Sequence, residues 1–413
     1  MNPARRYENT LVVILFFTWG TVFLDRMSQM YLAPYFAPEF HLSEAQIGTL
    51  ASVVAIAWAV STFLFGALSD RWGRKPVLIP AVFIFSGLSW ASGMAHSFQQ
   101  LLWIRALLGF AEGPTWSVIT ALIEESSNPR RRGRNVGMVV SAAALVGLAG
   151  APVLTTQVAS RWGWRSAFLV AGIPGLVMGA IIWKYVREPE ESVHGAQHEQ
   201  VALADYFAIL RHRNMWLCCL GAAGFMSWLF VVNVFAPLYI TRVAGQPPTT
   251  AGFLMGASGL GSFFLGFLLP ALSDRVGRKP VLLVMAAMSA AVPIAYQVSS
   301  LYAHFWPMAA IVFAANTGQG IASVIMVLVP TESVPAQFRA ASIGLATLTG
   351  EIMGATAAPI VAGSLAERYG LGFALWLAAA GSGVLFAVGL CLKETAGSQG
   401  GSFVAGREFE EAR

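Results

Sequence analysis

Apolar runs of about 20 residues alternate with short polar breaks from Leu11 almost to the end of the chain. Coiled as an α-helix, such a run matches the thickness of a bilayer's hydrocarbon core. The pattern predicts spans near residues 11–36, 45–67, 77–96, 99–124, 135–160 and 166–186. After a polar interval they resume near 215–240, 250–272, 280–299, 303–330, 340–365 and 371–392. Twelve spans result, their ends punctuated by Pro38, Pro129, Gly163, Pro247, Pro335 and Gly370. The stretch 187–214 is the one long hydrophilic insertion and divides the spans six and six. The predicted organisation is therefore an amino-terminal bundle over 1–186, a linker over 187–214, a second bundle over 215–394 and a tail over 395–413.

Composition agrees. Of the 413 residues, 56% are hydrophobic and 11% charged, against about 25% charged in soluble domains. Mean hydropathy is +0.63. Too little polar surface exists for a water-soluble globule, and twelve spans leave no room for a separate catalytic domain. Cys218, Cys219 and Cys391 all lie in apolar runs and form neither a disulfide framework nor a metal-ligand spacing. No Gly-x-x-x-x-Gly-Lys-Ser/Thr loop occurs. No enzyme activity, cofactor, metal or nucleic-acid partner is expected. The first apolar run holds Asp25 and Arg26 and lacks an A-x-A-like cleavage site, so it is read as a retained helix.

Charge supplies orientation. With the amino terminus placed in the cytoplasm, inner segments carry 20 Lys and Arg residues, outer segments 4, and Arg26 and Arg105 lie inside spans. This positive-inside bias puts both termini and the linker in the cytoplasm. A bacterial inner membrane is the expected location.

The chain also repeats itself. Residues 67–78 read ALSDRWGRKPVL and residues 271–282 read ALSDRVGRKPVL, eleven identities in twelve at an offset of 204. A weaker echo links 125–137 with 332–344. Parallel halves related by an axis along the membrane normal are one transporter plan. Gly66-x-x-x-Asp70-Arg71-x-Gly73-Arg74-Lys75, between spans two and three, resembles the signature loop of the major facilitator superfamily. The second copy has Pro270 where the first has Gly66. The resemblance implies an all-α membrane protein of two pseudo-symmetric six-helix bundles that works as a monomer. It also implies a gate at the inner loops, from Asp70, Arg71 and Arg74 in one half and Asp274, Arg275 and Arg278 in the other. On physical grounds Asp70 would accept the N–H groups of a neighbouring helix start. Arg71 and Arg74 would pair with Glu124, Glu125 or Glu332 when the inner side closes, and part when it opens.

Five ionisable residues lie within spans: Asp25, Arg26, Arg105, Glu112 and Glu351. Charges at that depth mark pathways and proton relays. Arg105 and Glu112 are seven residues apart, about 700° of helical turn, within about 20° of one face and roughly 10 Å apart. Both are expected to look into one cavity, with Gly109 between them allowing a close helix neighbour and Gly113-Pro114 breaking the regular hydrogen-bond ladder just beyond Glu112. Asp25 and Arg26 are expected to edge the same cavity, with Gln29 one turn on.

The pair Asp25-Arg26 in span one, with Arg105 and Glu112 in span four, resembles the anion:cation symporter branch of that superfamily, the hexonate- and sialin-like carriers. The stretch Gly163-Trp164-Arg165 to Gly172-Ile173-Pro174-Gly175 resembles it too. The resemblance implies proton-coupled import of a small organic anion by alternating access, with Arg26 as carboxylate anchor and Asp25 and Glu112 as proton-coupling acids. Trp58 stands where the branch often has tyrosine, and Ala143 where it often has a polar residue; both point to a smaller or more apolar carboxylate. Arg105, Gln29, Trp58, Asn316 and Glu351 complete the candidate substrate site, with Asn233, Thr317 and Gln319 as further polar candidates. Trp228 and Trp376 fit packing better. Arg105 also fits as a structural partner of Asp25 or Glu112, and Glu351 as a second proton site or a buried hydrogen-bonded acid. A proton-driven exporter and a non-transporting sensor are the competing readings of the same fold.

Overall fold

The computed structural model describes residues 3–128, 131–188, 209–335 and 338–396. Most of the expected linker and tail lies outside them. Among the described residues, twelve helices are long and apolar enough to cross a membrane. The first half contains α1 (Pro3–Glu39), α2 (Glu44–Trp72), α3 (Arg74–Gly93), α4 (Phe98–Ser126), α5 (Arg132–Trp162) and α6 (Trp164–Tyr185). The second contains α7 (Arg213–Val243), α8 (Pro248–Val276), α9 (Arg278–Gln297), α10 (Phe305–Ser333), α11 (Ala341–Tyr369) and α12 (Leu371–Cys391). Large apolar side chains such as Phe63, Trp103 and Trp183 stay exposed on the outside of the bundle, the surface a bilayer would cover.

Local chemistry sets the helix ends. Ser43 and Gln46 form a reciprocal capping box at the start of α2, with Gln46 N–H donating to Ser43 Oγ at 3.3 Å and Ser43 N–H to Gln46 Oε1 at 3.0 Å. The repeated loop turns sharply at Gly73 (φ 96°) and Gly277 (φ 115°), a backbone region that favours glycine. Pro38 sits in the last turn of α1 rather than beyond it.

Gly113-Pro114 breaks the hydrogen-bond ladder of α4 as expected, yet the helix runs on from Phe98 to Ser126. A proline removes the N–H that would bond the carbonyl four residues earlier. That carbonyl, Phe110 O, instead accepts from Ser61 Oγ on α2, and Thr62 Oγ1 donates to Gly113 O at 3.0 Å. The neighbouring helix thus repairs the ladder. Conversely, α10 is interrupted at Asn316–Thr317, where Asn316 Oδ1 accepts from Gly318 N–H at 3.0 Å.

The midpoints of α5 and α11 are π-helical, over Ala143–Gly150 and Gly350–Ala357, the same place in each repeat. The halves join from the middle of the bundle toward the end opposite the repeated loops. There α2 meets α11, with Ser52 Oγ donating to Thr356 O at 2.6 Å and a Gly48 position where a Cβ would fall 2.2 Å from Pro359 O. Tyr31 Oη donates to Asn233 Oδ1 at 2.7 Å, and Arg242 pairs with Glu44 at 3.0 Å. Toward the loop end a cavity occupies the seam.

Candidate transport site

The cavity has a volume of about 180 Å³ and is walled by both halves. Trp19, Phe23 and Trp116 face Phe225, Met226 and Leu229, with Gln319, Ser323 and Thr347 as polar edges. Its charged lining consists of Arg26 from α1 and Glu351 from α11. Arg26 Nη2 approaches Glu351 Oε2 at 3.3 Å, and both side chains are buried. The guanidinium centre stands 5.0 Å from the Trp58 ring and 5.3 Å from the Phe230 ring, distances at which a ring attracts a cation. Arg26 Nε has no hydrogen-bond partner among the described residues.

Asp25 and Arg26 do not share this cavity. A step of one residue turns a helix by about 100°, and here that sends Asp25 into the first half. Asp25 accepts from Ser89 Oγ on α3, and its Oδ2 lies 3.8 Å from Arg105 Nη1. Arg105 also packs over the Phe168 ring at 4.5 Å. Glu112 is fully buried, and neither carboxyl oxygen has a hydrogen-bond partner among the described residues. Neither Arg105 nor Glu112 lines the cavity. Their shared helix face points at the packed interior between α1, α2 and α4, because Gly109 brings α2 too close for a cavity: a Cβ there would lie 2.5 Å from Val54 O.

Gln29 also lies off the cavity, donating to Leu50 O at 3.3 Å beside a small apolar void. Asn316 is spent on Ser258 Oγ at 2.7 Å and on Gly318 N–H. Thr317 bonds Ser289 at 2.8 Å, and Trp228 donates its indole N–H to Ser289 O at 2.9 Å. Trp58 and Gln319 do line the cavity. Trp19 and Phe230 were missed by the sequence reading, although Trp19 lies seven residues before Arg26 and so on nearly the same helix face.

At the repeated loops, the side chain of Asp70 lies outside the described set. Arg74 pairs with Glu125 at 2.7 Å and donates to Ser69 Oγ at 2.8 Å. Arg278 repeats this with Glu332 at 2.8 Å and Ser273 Oγ at 2.6 Å, and also meets Asp274. Arg71 and Arg275 are exposed. The Arg74–Glu125 and Arg278–Glu332 pairs each lie within one half, and the seam cavity lies on the loop side. Arg74–Glu125 is one of the pairs the sequence led to. The helix starts are held by acids outside the motif: Glu188 accepts from Lys75 N–H at 2.8 Å, and Glu394 accepts from Arg278 N–H at 2.7 Å and Lys279 N–H at 3.1 Å. Arg187-Glu188 and Lys393-Glu394 stand 206 residues apart, a repeat the loop motif could have led to.

The sequence matches the Major Facilitator Superfamily over residues 15–358 and again over 230–408. The chain belongs to this superfamily, and it is a transporter rather than an enzyme. It is 28% identical over 292 residues to the hexuronate transporter of Bacillus subtilis, covering 67% of this chain and 68% of that one. It is 28% identical over 380 residues to the 3-(3-hydroxy-phenyl)propionate transporter of Escherichia coli, covering 88% of both. In fold it is similar to an inward-facing, unoccupied bacterial homologue of the lysosomal transporter Spinster, with a TM-score of 0.72, 20% identity, and 95% and 94% coverage.

Proposed function

We propose that this facilitator imports a small organic carboxylate together with protons by alternating access. The observation that carries the reading is Arg26: a buried guanidinium framed by Trp58 and Phe230, lining an aromatic cavity at the seam. A guanidinium's planar pair of donors fits a carboxylate. The ring-rich walls offer few hydroxyl partners and favour a flat, sparsely hydroxylated anion over a polyol acid. The two relatives, whose names specify a hexuronate and a phenylpropionate, support an organic acid.

Protons travel on Asp25 and Glu112, buried acids linked through Arg105 to the helix that carries the anchor. Arg71, Arg74, Asp274, Arg275 and Arg278, with Asp70, act at the loops as each half swings. This reading places those loops and both termini in the cytoplasm of a bacterial inner membrane, with the seam cavity facing inward and the carrier working as a monomer. Rocking the halves about the seam would open the same site to the other side.

The test is uptake into proteoliposomes of 3-(3-hydroxyphenyl)propionate and D-glucuronate, with and without an inward proton gradient. Gradient-driven accumulation is expected, greater for the phenylpropionate than for the glucuronate. Extrusion of the anion against an inward proton gradient would establish the exporter instead, and no movement of any carboxylate would end the reading.

A further inference from the structure

Arg26 and Glu351 come from opposite halves, meet at 3.3 Å and both line the cavity. With Trp58 and Phe230 against its faces, the guanidinium edge turned to Glu351 is the edge a carboxylate would use. A substrate carboxylate taking that edge must displace Glu351. Among the described residues, Arg26 is the one charged group that shares the cavity lining with Glu351. From α2 comes Trp58, and from α7 come Phe225, Met226 and Leu229, all uncharged. Asp25 and Arg105 pair with each other inside the first half, and neither they nor Glu112 line the cavity that holds Glu351. A carboxylate deprived of its partner in such surroundings neutralises rather than remaining charged.

We propose that the transported carboxylate and Glu351 exchange places on Arg26, so that each anion bound obliges Glu351 to take up a proton. The proposal rests on the carboxylate-symport reading and adds an acid to Asp25 and Glu112. The balance closes. In the empty carrier, Arg26 and Glu351 cancel. On binding, that ion pair breaks, an Arg26–substrate pair forms, and a proton from the water at the cavity mouth bonds to Glu351. The loaded pocket is again neutral. An anion arriving without its proton leaves one negative charge stranded at the seam, where rocking would have to carry it through the closed state. Release reverses the exchange, and the pair that reforms spans both halves, so the empty carrier also returns neutral.

Calorimetric titration of the full chain in detergent tests this, using 3-(3-hydroxyphenyl)propionate and D-glucuronate in paired buffers of different ionisation enthalpy. The heat difference counts protons taken up with each anion. The wild-type protein is expected to take up protons. Glu351→Gln should bind more tightly at neutral pH, since its competing charge is gone, and take up about one proton fewer per anion. Glu351→Asp keeps an acid and should keep the uptake, which guards against a glutamine variant that fails to fold. Unchanged proton uptake in Glu351→Gln, or lost uptake in Glu351→Asp, would overturn the proposal. So would binding weakened tenfold in Glu351→Gln, since that would make Glu351 a direct substrate contact. If the wild-type protein binds neither carboxylate, the symport reading itself fails and this exchange falls with it.

Discussion

Arg105 on α4 and Asp25 on α1 lie 3.8 Å apart with both side chains wholly shielded from solvent. Buried pairs add little net stability, yet removing one partner strands the other, at a penalty of about 3–5 kcal/mol. Arg105→Leu should therefore lower the thermal midpoint sharply, and adding Asp25→Asn should recover much of the loss. The comparison is a thermal-shift series in one detergent. A double variant no more stable than Arg105→Leu would show that the arginine acts through packing on Phe168 instead.

Arg26→Lys retains the charge but not the shape. An ammonium cannot present two coplanar donors, nor stack as a plane between Trp58 and Phe230. Affinity for a transported carboxylate should fall by about tenfold, equivalent to about 1.4 kcal/mol, with little change in thermal midpoint. Equal affinity in equilibrium binding would move the anchor elsewhere.

The twelve spans were legible because a hydrocarbon-length apolar run is a strong periodic signal, and the halves because the repeat at Asp70 and Asp274 is nearly intact. Helix proximity was legible at Gly109, where the missing side chain coincides with the approach of Val54. Cavity membership was not. Arg105 and Glu112 do share a face, but spacing alone says nothing of what a neighbouring helix puts against that face. The same gap hid two further acids at the loops: Glu188 and Glu394 reach the helix starts from beyond the last span of each half, a contact that exists only once the bundle has closed.

Glu394 gives the loop a defined acid response. Burial works against its charge, but N–H groups of Ala396, Arg278, Lys279 and Thr395 outweigh that and hold its carboxyl below the ordinary value. A group lowered in this way stabilises the fold above its unfolded value of about 4.3 and stops doing so as pH falls through the folded value. Glu394→Gln should thus have a lower thermal midpoint at neutral pH and a smaller loss on acidification than the wild-type protein. Superimposable pH profiles would show that the link is dispensable.

Glu112 provides the sharpest division between binding and coupling. It is fully buried on α4, both carboxyl oxygens are without partners among the described residues, and it lies within electrostatic reach of Asp25, Arg26 and Arg105. Glutamine has nearly the same size and breaks no hydrogen bond of that carboxyl found here, so folding, substrate binding and rocking should survive. What Gln cannot do is gain and lose a proton. Glu112→Gln should therefore sustain exchange of labelled for unlabelled substrate at the wild-type rate. One fewer proton would then accompany each anion, so a given inward gradient should support a lower steady-state accumulation. The measurement pairs counterflow with gradient-driven uptake in the same proteoliposomes. An accumulation ratio equal to that of the wild-type protein would remove Glu112 from the proton path and leave Asp25 and Glu351 to carry it.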